Sequence, residues 1–280
     1  MSQYHYDIAI VGAGLSGGLL ALAIGQARHD KSIGIFDGKS IIGGEKAEIV
    51  LANQIEGLAL PVNEAVVAEW PFYFVNIPNC EPRISRQAML LDLRLLDPLV
   101  RNFADFHFVE NKALLQSGQN KTVTTPSGTW TADVVIEADD THLLASLGLE
   151  RSSRILDIGE QGILSQPVLI DTEAAKDSHE ILQIFPLTGS HIVVDRLRQL
   201  PSSRSESVFC QPENAPFINP VSIVAIVARL ARRIASLPEI NSAAVSAATS
   251  QELRIARQEI DCFFQAIEAR SAHYNIARKG

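Results

Sequence analysis

Three glycines, Gly12, Gly14 and Gly17, stand at G-x-G-x-x-G spacing within Tyr6-Asp-Ile-Ala-Ile-Val-Gly-Ala-Gly-Leu-Ser-Gly-Gly-Leu-Leu-Ala-Leu-Ala. The chemistry this spacing serves is the binding of a pyrophosphate. Gly12 permits a tight turn, Gly14 lets a phosphate approach the backbone, and Gly17 lets a helix pack closely on a strand. The helix that opens at Leu15 then offers free N–H groups and a positive dipole end to the phosphates. The spacing alone is weak evidence, but here a β-type run, Ile8 to Val11, precedes it and an apolar helical run, Leu15 to Gln26, follows. Asp37 closes a second strand, Ser32 to Asp37, at the distance at which an acid meets ribose hydroxyls. An ordinary solvated strand end is the competing reading of Asp37. A tight βα turn that binds nothing is the competing reading of the whole unit.

These residues need elements to hold them, and the rest of the chain supplies candidates. Glu45 to Leu60 is mixed, with strand or helix at Ala47 to Asn53. Glu45, Glu48 and Glu56 are either acids with a role or an exposed face. Glu69-Trp-Pro-Phe-Tyr-Phe-Val-Asn-Ile-Pro78 is aromatic and β-rich, and either lines an apolar cavity or forms a core strand. The leucine-rich stretch Arg86 to Phe103 predicts a helix on the sheet, kinked or ended at Pro98. Lys121 to Thr125 and Thr129 to Ala132, around the turn Pro126-Ser-Gly128, predict a hairpin, and Ala132 to Asp139 a strand returning to the first sheet. Gln166 to Thr172 predicts a strand, and Glu180 to Thr188 with Ser190 to Asp195 a second hairpin. Helices are expected over Val221 to Leu237 and Thr249 to Tyr274, the latter opened by a capping box at Thr249-Ser-Gln-Glu252. Arg229, Arg232 and Arg233 form either a solvated helix face or a membrane-facing basic patch.

Composition narrows the class. The 280 residues are 46% hydrophobic, enough for a sizeable core. A net charge of −8 argues against a nucleic-acid partner held by broad phosphate attraction. Cys80, Cys210 and Cys262 have no metal spacing and suggest no disulfide framework, which points to a reducing cytoplasm. The dispersed histidines suggest no metal site. No run of about 18 apolar residues predicts a spanning helix.

The opening block, the pair Gly43-Gly44 and the segment Trp70 to Pro78 together resemble bacterial lycopene β-cyclases. So do Pro167 to Asp171, Phe185-Pro-Leu-Thr-Gly-Ser-His-Ile-Val-Val-Asp195 and Asn219-Pro220. The chain is a shortened and diverged version of that pattern. The resemblance implies FAD as a cofactor that is not consumed. It implies cofactor contacts at Gly12, Gly14, Leu15, Gly17, Asp37, Gly43 and Gly44. It also implies an acid-driven cyclisation or isomerisation of an isoprenoid polyene, as in carotenoid biosynthesis. Such chemistry needs an acid kept neutral by apolar surroundings, a partner for the carbocation and exclusion of water. Asp195 stands where the family has its acidic residue, and is the implied catalytic acid; a strand-end aspartate is the alternative. An apolar substrate implies contact with the inner membrane face.

The expected fold is α/β. It comprises an FAD/NAD(P)-binding Rossmann-like region over 1–150, an antiparallel substrate-facing sheet over 151–218 and C-terminal helices over 219–280. The chain also departs from the family. Glu45 to Val50 replaces a polar aromatic stretch. Glu137-Ala-Asp-Asp140 replaces Asp-Gly-x-Gly, so that Asp140 brings a negative charge where close backbone approach is expected. The flavin-ring stretch is reduced to 214–222. The ADP-binding half of an FAD site is therefore expected to survive better than the isoalloxazine half. Two alternatives stand beside the cyclase: a non-catalytic homologue binding a nucleotide or apolar ligand, and an FAD/NAD(P)-dependent oxidoreductase.

Overall fold

The computed structural model describes residues 4–44, 46–55, 61–77, 83–109, 114–116, 122–125, 128–159, 165–172, 179–187, 190–201 and 222–277. The chain opens with β1 (Tyr4–Val11), α1 (Leu15–Ala27) and β2 (Ile33–Asp37). It continues through β3 (Ala47–Leu51), α2 (Ala52–Ile55), a 3₁₀ turn (Pro61–Ala65), β4 (Val66–Trp70), β5 (Tyr73–Asn76), β6 (Arg83–Ile84) and β7 (Ala88–Asp92). A second 3₁₀ turn (Leu93–Leu95) leads to α3 (Leu96–Val100), β8 (Asp105–Phe108), β9 (Leu114–Gln116), β10 (Thr122–Thr125) and β11 (Gly128–Glu137). The remainder is α4 (Asp140–Ser146), β12 (Leu149–Asp157), β13 (Val168–Asp171), β14 (Glu180–Pro186), β15 (His191–Gln199), α5 (Ile223–Ala235) and α6 (Ser242–Ala277).

Three sheets result. In the first, ordered β8-β2-β1-β11-β10-β9, β1 pairs in parallel with β2 and β11, and β2 with β8. Parallel strands covered on both faces must be apolar throughout, and Ile8 to Ile10 and Ile33 to Phe36 are accordingly buried. The C-terminal ends of β1, β2 and β11 gather at one edge, the place where α/β sheets bind ligands. The β10–β11 hairpin has the expected pairing, Thr122 opposite Thr131. The second sheet is ordered β12-β15-β14-β13-β5-β6. It is antiparallel except where β13 runs parallel to β5, a strand from the first hundred residues. The third sheet, β3-β7-β4, is antiparallel.

Helix α1 is buried along most of its length, from Leu15 to Gly25, because the first sheet covers one side and α5 the other. Two helix expectations change. Residues 86–103 divide into β7 and the short α3: Leu90 and Leu91 pair with both neighbouring strands, and Pro98 lies within the first turn of α3, where a proline is tolerated. The last helix starts at Ser242 rather than Thr249. Asn241 accepts the Ala244 N–H at 2.9 Å and so caps it, while the Thr249 hydroxyl donates to the Val245 carbonyl at 2.8 Å. Glu252 pairs instead with Arg229 and Arg233 of α5 at 2.9 and 3.2 Å. The capping-box pattern was therefore an interhelix ion pair. Cys262 is disulfide-bonded, against the expectation from cysteine spacing, because pairing depends on proximity in the fold. Glu45, Glu56, Cys80, Cys210 and the 214–221 stretch lie outside the described residues. Among the described residues no helix is long and apolar enough to cross a membrane.

A Cβ on Gly17 would overlap the Gly12 carbonyl oxygen and crowd Ile10. Gly17→Ala is therefore expected to lower stability by about 1–3 kcal/mol, read as a shift of the urea midpoint; an unchanged midpoint would show that α1 and β1 are not packed this closely.

Candidate functional site

The backbone turn after β1 is built around Gly12, which has φ +111°. A Cβ there would lie 2.5 Å from the Ala138 carbonyl oxygen, at the end of β11. The Gly12 N–H donates to Phe36 O at 2.9 Å and the Ala138 N–H to Val11 O at 2.8 Å, tying the ends of β1, β2 and β11 together. Gly43 and Gly44 follow β2 with φ +93° and +91°. The Gly43 N–H donates to Ala13 O at 2.7 Å. The structure thus brings Gly12, Gly14, Leu15, Gly17, Asp37 and Gly43 into one neighbourhood.

The N-terminus of α1 is where a phosphate would be held. Gly14 occupies the N-cap position without a capping side chain, and no acid lies in the helix's own first turn. The cap comes instead from Asp140, the first residue of α4. Its carboxylate accepts the Leu15 N–H at 3.0 Å and the Ser16 N–H at 2.9 Å. A Cβ on Gly14 would collide with that carboxylate. The space left by the absent side chain of Gly14 is filled by an internal anion. Asp37 is committed in the same manner: one carboxylate oxygen accepts the Ala13 N–H at 2.5 Å and the other the Lys39 N–H at 2.7 Å.

These contacts decide how an FAD would fit. The turn geometry suits a dinucleotide, but the pyrophosphate needs the donors that Asp140 holds. Placing a second anion beside the first costs about 4 kcal/mol per charge pair at contact distance. With Asp140 in this position the residues do not fit the cofactor. The expected division, with a sound ADP half and a damaged ring half, therefore changes: the ADP half is also closed. The negative charge anticipated at Asp140 is the physical reason.

Asp195 lies elsewhere, in the interior, on β15. It is 1% exposed and ion-paired with Arg151 of β12. The other side of the Arg151 guanidinium contacts Glu48 of β3 at 2.6 Å. One buried cation therefore joins two buried acids from two different sheets. Burial opposes the charge on Arg151, but Glu48 and Asp195 outweigh it and hold the guanidinium firmly protonated. Burial pushes the Glu48 carboxyl above its ordinary value despite the pairing with Arg151. Glu48 is thereby biased toward the neutral form, and Asp195 faces the same guanidinium. Arg151 drew no attention in the sequence, and Glu48 read more readily as part of an exposed face, whereas it is buried. The available signal was that Ala47-Glu-Ile-Val-Leu51 is otherwise wholly apolar, which places an acid on a buried strand.

No family model matches the chain. Over 103 residues it is 31% identical to the lycopene beta-cyclase of Pantoea ananas, a match that covers 36% of this chain and 27% of that enzyme. The chain thus matches about a quarter of that relative's length. Among solved structures, a geranylgeranyl bacteriochlorophyll reductase-like protein from Thermoplasma acidophilum superposes with a TM-score of 0.65 at 12% identity, over 100% of this chain and 93% of that one. HpxO of Klebsiella pneumoniae, complexed with FAD and uric acid, gives 0.57 at 13% identity, over 98% and 93% of the two chains. PqsL of Pseudomonas aeruginosa, in complex with 2-aminobenzoylacetate, gives 0.57 at 10% identity, over 98% and 100%. The chain shares its α/β fold, with a Rossmann-like first sheet, with these proteins.

The buried triad carries a pH signature. Because the folded-state pKa of Glu48 is raised, its stabilising contribution is complete below the ordinary value of 4.5 and is lost as pH rises through the folded pKa. Glu48→Gln should therefore flatten the fall in stability above pH 4.5 relative to the parent, measured by urea denaturation across pH. Arg151→Met should lower stability by about 3–5 kcal/mol near neutrality by leaving two buried acids unpaired. A pH profile unaltered by Glu48→Gln would contradict this assignment.

Proposed function

We propose that this chain is a non-catalytic relative of the FAD-dependent enzymes, a binding protein that carries no flavin and serves an apolar ligand, as an accessory to another enzyme. The observation that carries the reading is the Asp140 carboxylate on the Leu15 and Ser16 N–H groups. A cyclase of the lycopene type would need the flavin there and a neutral acid at Asp195, which is instead paired with Arg151. An oxidoreductase would need the same dinucleotide. A cavity of about 230 Å³ lies between α1, α4, α5 and α6, lined by Leu20, Leu143, Val227, Leu230, Ile234 and Leu253 among others. It is smaller than the roughly 300–1,000 Å³ of drug-sized sites, so it suits a small apolar body rather than a long polyene. Arg229 pairs with Glu252 and Glu259 and Arg233 with Glu252, so these two arginines serve the α5–α6 contact rather than a membrane surface.

The cyclase reading keeps one specific support, the 103-residue match to the Pantoea enzyme. The two are separated by the absorption spectrum of the purified protein, with any released cofactor identified by mass. The expected result is a protein without flavin bands, not reconstituted by excess FAD and inactive on polyenes in the absence of air. Stoichiometric FAD released from a yellow protein would overturn the proposal.

A further inference from the structure

We infer that Asp140 is a plug, removable by substitution, on an otherwise intact dinucleotide site, and that the closed state depends on this one carboxylate. The inference rests on the flavin-free reading and adds to it a cause confined to one residue and a latent ligand class, an ADP-containing dinucleotide. Three features separate a plugged site from a ruined one. First, the glycine turn keeps its shape: Gly12 has φ +111°, and both Gly14 and Gly17 lack the Cβ that would close the loop. Second, the donors remain aligned, since Leu15 and Ser16 N–H both reach a single anion at 3.0 and 2.9 Å. Third, the plug is not needed by the element that carries it.

That element is α4, seven residues long, whose Leu143 and Leu144 pack against the core and whose Ser146 carbonyl accepts from Arg257 at 2.7 Å. Its own N-terminus is capped by Asp139, which accepts the Thr141 N–H at 2.9 Å. Asp140 is therefore not needed to start α4, and its carboxylate is directed wholly at α1. Behind α4 lies the 230 Å³ cavity, to which His142, Leu143 and Ser146 contribute. A polyphosphate would compete with the carboxylate for the same two N–H groups. The local contact thus works as an autoinhibitory one: an anion covalently part of the chain sits at high effective concentration and keeps free anions out.

The test compares the parent protein with Asp140→Gly and Asp140→Asn, using ADP and FAD as probes in calorimetry and in thermal melts. Asp140→Gly restores the residue type that the related enzymes carry. Asp140→Asn keeps the size and one acceptor but removes the charge. The parent is expected to bind neither probe at 100-fold molar excess. Asp140→Gly is expected to bind both, at least tenfold more tightly than Asp140→Asn, with a rise in melting temperature that scales with probe concentration. Folded variants, judged by circular dichroism, that bind no better than the parent would overturn the plug while leaving the flavin-free reading standing. If Asp140→Gly fails to fold, Asp140→Asn decides alone: tighter ADP binding than the parent supports the plug, and no gain overturns it. A parent that binds FAD as tightly as the variants would overturn both proposals.

Discussion

The contact between Asp140 and the first turn of α1 sets the character of this molecule. A helix buried along almost its whole length cannot leave its terminal N–H groups unsatisfied, because water does not reach them freely and the dipole concentrates positive potential there. In a dinucleotide-binding protein the ligand resolves that demand. Here the chain resolves it internally, with a carboxylate delivered by the residue that opens α4. The interaction has a stabilising role in the fold and, by the same geometry, an excluding role at the ligand site.

The remainder of the architecture follows from keeping α1 in place. Its glycine-rich face must approach β1, and its other side meets α5, which in turn is fastened to α6 by Arg229, Arg233 and Glu252. The second and third sheets are bound to each other by the Glu48–Arg151–Asp195 cluster, in which one cation neutralises one of two buried acids. A cluster of that kind costs desolvation on every member and gains by fixing the relative position of strands. It gives Asp195 a structural employment, and burial disposes Glu48 to hold a proton.

Much of this was legible in the sequence, and the limits are physical. The βαβ unit, the β10–β11 and β14–β15 hairpins and α5 were readable because apolar period and turn chemistry are local. The charge at Asp140 was visible as a departure from a glycine pattern, but its target, 125 residues away, was not. Residues 86–103 misled because leucines in a two-sided buried strand and in a helix have the same composition, and Leu90 and Leu91 pair with strands that lie elsewhere in the chain. Thr249 to Glu252 misled because a capping box and an interhelix glutamate share residue types. Arg151 and Glu48 gave no local sign of meeting, since ion pairing across sheets leaves no periodicity.

The central claim is that Asp140, as an anion, occupies the amides of Leu15 and Ser16. Comparing those two amides by ¹H–¹⁵N NMR between the parent and Asp140→Asn tests it most directly. The account predicts that the Leu15 and Ser16 resonances both lie downfield in the parent, as amides that donate to a carboxylate do, and move upfield together in Asp140→Asn. Leu15 and Ser16 resonances that stay in place in Asp140→Asn would contradict it.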